Sequence, residues 1–300
     1  LYHRFKLALE KTAVDNTEAT VEATVDRLDA DLLDIRQILN GANYNVVQQF
    51  DISSREFSEQ FSLLYETNSD KIQSVALYDQ KGNLIASEPV AAEKKNVRVQ
   101  TQEWFKNAED VIENIHFSTP HIQELFEDGS YRYQWVVSLS RYVDVNKGEI
   151  PETGILLLDM KYSVIRDVMK QINDCSGGIY YYLISQDGEM IYHPRGTELN
   201  RGLFEENSLE AEKYEDGTYE IRSNGQNETV IVRSVAYTGW KMIGVVPESV
   251  QVANYKNFRY YVFATILVLL VMILEGNQLV SRKISKPIRE LDASVKTYEA

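Results

Sequence analysis

Aromatic rings gather around the middle of this sequence. Tyr131, Tyr133 and Trp135 alternate along an extended stretch, so the three fall on one face. Trp104 and Phe105 stand just before them on a segment with helical spacing. Rings of this kind, with a few polar groups among them, wall small-molecule pockets. The same rings also serve ordinary core packing, and their spacing leaves both readings open.

Covalent chemistry finds little support. The sequence contains no G-x-S-x-G, G-x-x-x-x-G-K, G-x-G-x-x-G or H-E-x-x-H. Its four histidines, His3, His116, His121 and His193, are too scattered for a metal box. Cys175 has neither a second cysteine nor a basic neighbour to activate it. The expectation is a chain without enzyme activity, cofactor or metal. A membrane-anchored hydrolase is the remaining enzymatic alternative.

The elements that would position the rings follow from periodicity. Leu7, Val14, Val21, Leu28 and Ile35 recur every seven residues, and Val25, Leu32, Leu39 and Val46 form a second row. This predicts one long helix over the first fifty residues, with Asn40-Gly41 as an interruption. Its stripe either pairs with the same helix in a second subunit, giving a homodimer, or packs on a sheet of its own chain. After Asn68 the period becomes two. A hairpin turning at Lys81-Gly82, a short helix over 101–110, strands over 131–142 and 154–159, and a helix over 162–172 make a first unit. A second unit repeats the grammar with a hairpin turning at Asp187-Gly188 and strands over 218–222, 228–235 and 240–246. The expectation is an α+β chain with two antiparallel sheets, helices to one side, duplicated from one plan.

Composition sets the surroundings. With 31 Lys and Arg against 45 Asp and Glu, the net charge is −14, which argues against a nucleic-acid partner. From Tyr260 to Leu274 there is no charge. Tyr260 and Tyr261 at one end, and Arg282, Lys283, Lys286 and Arg289 beyond the other, suit a membrane span with its basic end in the cytoplasm. The chain opens on Leu1 and closes inside a helical pattern, which reads as a piece of a longer protein with a first span before Leu1. Residues 1 to about 257 are then extracellular.

These residues resemble a known family. Trp104-Phe105-Lys106-Asn107-Ala108, then Ser118-Thr119-Pro120-His121, then Trp135 to Arg141, then Gly154 to Asp159, are similar to the membrane-distal half of a double Cache sensor region. Ile179 to Tyr192 and Glu228 to Pro247 resemble its membrane-proximal half, and Ile284 to Leu291, with Pro287, the start of a HAMP linker. Pro120 to Phe126 and Val136 to Arg141 further resemble YesM-like sensor histidine kinases. The resemblance implies a long helix and connector (1–69), two PAS-like units (70–172 and 173–247), a juxtamembrane and transmembrane helix (248–280) and a linker start (281–300). It implies ligand sensing for a two-component histidine kinase, with chemoreceptors and cyclic-dinucleotide enzymes as alternative parents.

By the same resemblance the ligand residues are Trp104, Phe105, His121, Gln123, Tyr133, Trp135, Arg141 and Asp159. The amino-acid motif of the family is incomplete here: Gln102 stands where an arginine is expected, His121 for a tyrosine and Gln123 for an aspartate. Loss of a bidentate carboxylate clamp argues against free amino acids. Aromatic faces with Gln, His and Asp lead to the expectation of a neutral polyhydroxy ligand such as an oligosaccharide.

Overall fold

The computed structural model describes residues 2–94, 97–110, 115–127, 133–147, 150–203, 205–206, 208–223 and 226–281. Tyr131 and the basic and proline positions of the expected linker, Arg282 to Leu291, lie outside these. The chain divides into two units, Thr12–Pro247 and a second made of Leu1–Lys11 with Glu248–Ala300.

Helix α1 (Tyr2–Gly41) ends where Asn40-Gly41 predicts, and passes into a π-helical turn, Ala42–Val47. Helix α2 (Arg55–Thr67) starts at Ser54, whose Oγ accepts from the Phe57 amide at 3.0 Å. That bond satisfies one of the donors a helix start leaves open.

The first sheet contains β1 (Ile72–Asp79), β2 (Leu84–Glu88), β3 (His116–Phe117), β4 (His121–Ile122), β5 (Trp135–Lys147) and β6 (Ile150–Lys161). Its order is β2-β1-β6-β5-β3, with β4 also on β5. Helix α3 (Glu103–Asp110) precedes β3, and α4 (Ser163–Asp174) follows β6. The second sheet is built from β7 (Tyr180–Ile184), β8 (Met190–Tyr192), β9 (Gly217–Ser223), β10 (Gln226–Ser234) and β11 (Lys241–Pro247), with the short helices α5 (Gly196–Asn200) and α6 (Ser208–Ala211) between β8 and β9. Its order, β8-β7-β11-β10-β9, repeats that of the first sheet position for position.

The two opening hairpins share a device as well as a place. Asp79 Oδ1 accepts from the amides of Lys81 and Asn83, both at 2.8 Å. Ser185 Oγ accepts from Asp187 at 3.2 Å and from Glu189 at 3.0 Å. In each, a polar side chain at the strand end fixes the turn that follows.

Side-chain alternation gives each sheet two different faces. On β6, Leu156, Leu158 and Met160 join a core with Val21, Leu28, Leu32, Ile35 and Leu39 of α1. Ile155 and Leu157 turn the other way, to Trp104, Phe105 and Ala108 of α3. On the second sheet Tyr181, Leu183, Ile231 and Met242 enter the α1 core. Tyr182, Ile184, Val230 and Val245 form a separate cluster with Ala211 on the opposite side. The apolar row from Val21 to Val46 is therefore spent on the sheets of its own chain. Leu28, 1% exposed, and Ile35, fully buried, report on folding rather than on a contact between subunits.

The second unit contains α7 (Glu248–Val280). Its Tyr260–Val280 stretch, 21 residues, is the one helix among the described residues long and apolar enough to cross a membrane. At 1.5 Å per residue it spans about 30 Å, the thickness of a bilayer core.

Gly244 on β11 shows how close α1 lies: a Cβ there would stand 2.8 Å from Val21 Cγ2 and 2.9 Å from Thr17 Cγ2. Gly244→Ala is expected to cost about 1–3 kcal/mol by overpacking, and Leu28→Ala about 2–5 kcal/mol by leaving a cavity. Urea unfolding measures both; losses well below these ranges would show that the helix is not packed on the sheets.

Candidate ligand pocket

The α3 face of the first sheet carries a cavity of about 470 Å³ between α3, the segment from Ser118 to Leu125, and strands β5 and β6. Asp159 lies at its floor and is 1% exposed. Its position follows from alternation: it continues the Ile155–Leu157 face of the central strand. Its neighbours across the ladder are Ser74 on β1 and Ser138 on β5.

Both serines serve the carboxylate. Ser138 Oγ donates to Oδ1 at 2.5 Å, and Ser74 Oγ donates to Oδ2 at 2.8 Å. Having given its one hydrogen to Asp159, Ser138 Oγ is an acceptor toward His121 Nε2 at 3.2 Å. His121 Nδ1 lies 3.0 Å from the Thr119 carbonyl and 3.2 Å from Ser118 Oγ. A carbonyl only accepts, so both ring nitrogens face acceptors. Ser118 Oγ also takes the Ser138 amide at 2.8 Å, which fastens the Ser118–His121 segment to β5.

Burial pushes the Asp159 carboxyl above its ordinary 3.8; the hydroxyls of Ser138 and Ser74 and the ring of His121 pull it back. Two neutral donors offset part of the cost of desolvating a carboxylate. What would complete it is a cationic donor in the cavity. Trp104 supplies a ring wall, held in place because Ser140 Oγ donates to the Trp104 carbonyl at 2.7 Å. Trp135 supplies a second, packed on Tyr162 at 6.4 Å between ring centres.

Of the eight residues expected to contact ligand, Trp104, His121, Gln123, Trp135 and Asp159 line this cavity. The other three are placed elsewhere. Phe105 is 1% exposed and belongs to the core beneath α3. Tyr133 precedes β5 and is 79% exposed. Arg141 sits on the α1 side, donating to Asn40 Oδ1 and to the Tyr44 hydroxyl, each at 2.7 Å. Its odd register with Val137 and Leu139 puts it on the face opposite Ser138. Ser74, Ser118 and Ser138 were missed. The available signal was a lone serine at alternate positions of otherwise apolar strands, as in Val136-Val137-Ser138-Leu139.

Comparison with known proteins adds context. A family model described as a Cache domain matches residues 5–254. The ligand-binding domain of the Pseudomonas fluorescens chemoreceptor CtaA, solved with L-isoleucine, superposes with a TM-score of 0.58 at 15% identity, covering 83% of this chain and 98% of that one. The corresponding domain of the Pseudomonas aeruginosa PAO1 amino-acid chemoreceptor PctB, solved with L-Gln, gives 0.56 at 16% identity, covering 79% and 92%. A curated relative from Bacillus thuringiensis subsp. konkukian, named a "probable methyl-accepting chemotaxis protein", is 20% identical over 257 residues. The match takes in 83% of this chain and 36% of the relative's length.

Two expectations change. The exclusion of free amino acids is overturned, because neighbours of this fold hold L-isoleucine and L-Gln. The three departures at Gln102, His121 and Gln123 did not justify it, since Asp159 and Trp104 remain in place. A histidine-kinase parent is less well supported than the chemoreceptor alternative, since these relatives are chemotaxis proteins.

The raised carboxyl of Asp159 makes a pH prediction. Its stabilising contribution is complete below the unfolded value and is lost as pH rises through the higher folded value. Wild-type stability relative to Asp159→Asn should therefore fall in urea titrations as pH rises above the ordinary carboxyl value of 3.8. A difference that stays constant, or grows with pH, would show that the carboxylate is not held desolvated.

Proposed function

The chain belongs to the Cache domain family, and on that premise we propose that it is the extracellular sensing region of a membrane chemoreceptor, binding an amino acid or a close amine relative in the first-sheet cavity. The observation that carries this reading is the buried Asp159 carboxylate, open to a cavity between two tryptophans. A ligand ammonium donates to Asp159 and lies within reach of the ring faces of Trp104 and Trp135. The amides of Gln102 and Gln123 and the ring of His121 provide partners for the rest of the molecule. The solved relatives that hold amino acids in this fold support the ligand class. The methyl-accepting relative supports the output.

Signalling then follows from differential affinity. A ligand touching both α3 and β6 stabilises whichever spacing of the two fits it better, and shifts the population toward that state. Helix α7, directly after β11, supplies the route into the membrane.

Calorimetric titration of the chain in nanodiscs against the common L-amino acids and their amines tests the ligand. Binding of at least one is expected, weakened about tenfold or more in Asp159→Asn and in Trp104→Ala, as for loss of a charge-assisted contact. Unchanged affinity in Asp159→Asn would remove the reading.

Topology has its own probe. The sequence has a single cysteine, Cys175, and it is exposed. A membrane-impermeant maleimide added to intact cells should label it. Labelling only after lysis would place residues 12–247 inside.

A further inference from the structure

The second sheet has a cavity of its own, of about 560 Å³, on the face away from α1. Its place repeats that of the first: strands β7, β11, β10 and β9 stand where β1, β6, β5 and β3 stand, and α6 takes the position of α3. Its floor differs. The paired Val230 and Val245 occupy the central strands where the first cavity has Ser138 and Asp159. Acid instead lines the walls: five glutamates, among them Glu206 and Glu228, against one arginine, Arg222.

Three features mark this as more than an acidic surface. Tyr182 is 2% exposed and lines the cavity, yet its hydroxyl makes no hydrogen bond among the described residues and is not sealed from the open space. Glu206 is nine-tenths buried, anchored by the Tyr180 hydroxyl at 3.2 Å and by His193 at 3.3 Å. Tyr214 adds a ring wall, stacked on Tyr219 with centres 4.6 Å apart. Burial, and then the charge of Glu206, raise the Glu228 carboxyl above its ordinary 4.5. Among the described residues no three His, Cys, Asp or Glu side chains come together to hold a metal ion. Carboxylates spread along an aromatic and aliphatic trough match several separated positive charges joined by methylene chains.

We propose that this cavity is a second ligand site, for an organic cation of the diamine or polyamine class. Its amines pair with Glu206 and Glu228, its stem lies on Val230 and Val245, and the Tyr182 hydroxyl accepts from one N–H. This site is separate from the Asp159 cavity and does not depend on what binds there.

Spermidine and putrescine, titrated calorimetrically into the full chain in nanodiscs, test it. Spermidine is expected to bind, with affinity lowered about tenfold in Glu228→Gln and further in Glu206→Gln/Glu228→Gln. Tyr182→Phe, which removes only the hydroxyl, should weaken binding several-fold. Glu228 is only half-buried, so Glu228→Gln retains the fold and keeps the test decisive if the double variant unfolds. The proposal is overturned by any of three outcomes: no binding at millimolar spermidine, loss of binding in Asp159→Asn with retention in Glu228→Gln, or full displacement by equimolar magnesium chloride.

Discussion

One long helix dictates how much of this molecule is arranged. The stripe from Val21 on α1 to Val46 in the turn that follows it is buried in a single core with residues of both sheets. Each buried leucine or valine contributes about 1.5–3 kcal/mol of transfer free energy, and among the described residues neither sheet has another cover of this length on that side. Polar contacts follow the same line: Arg233 pairs with Glu18, Lys71 with Asp34, and Arg141 with Asn40 and Tyr44. The Arg36 guanidinium lies 5.0 Å from the ring centre of Tyr237. Once one face of each sheet is committed to α1, only the opposite face remains for a cavity.

That constraint explains where the buried carboxylate sits. Asp159 is on a central strand whose neighbours Ile155 to Leu158 are all buried. An ionised group placed toward α1 would have entered the continuous apolar core that holds Val21, Leu28, Leu32, Ile35 and Leu39, at the full cost of its desolvation. Turned the other way, it meets two serines contributed by the strands on either side. Ser74 and Ser138 are 64 residues apart in sequence and are united only by β6 running between them. The site is thus a product of sheet order: three consecutive strands of the sheet each supply one group, and register aligns them.

Much of the fold was legible from period and punctuation. The heptad rows located α1, Asn40-Gly41 its end, and Lys81-Gly82 and Asp187-Gly188 the two hairpins, because each signal is local. The doubling of the sheet was legible from the repeated order of such signals. The pocket was legible only in part. Asp159, His121 and Trp104 stood out through resemblance, but the same resemblance also brought in Arg141 and Phe105, which lie on other faces. The face on which each lies depends on strand register and on the roughly 100° between successive helix residues. Ser74 and Ser138 show in the sequence only as lone serines in apolar strands, and such a serine carries no mark of its partner until the ladder is known. The mistaken exclusion of amino acids had a similar origin. It counted missing motif residues, whereas the energetics turn on the one desolvated carboxylate that stays.

Duplication with one shared core also accounts for how two like-ordered sheets arrive at unlike chemistry. The faces toward α1 must remain apolar in both, or the helix loses its seat. The outer faces carry no such demand, so the paired central positions are free to differ: Ser138 with Asp159 in one sheet, Val230 with Val245 in the other. A floor carboxylate recognises one cation deep in a cleft. Wall carboxylates over an aliphatic floor recognise charge along the length of a molecule. Each arrangement leaves its acid partly uncompensated, Asp159 through burial and Glu228 through burial beside Glu206. In each, a bound cation would relieve a cost already built into the folded protein, so binding and stability are linked at both sites by the same physics.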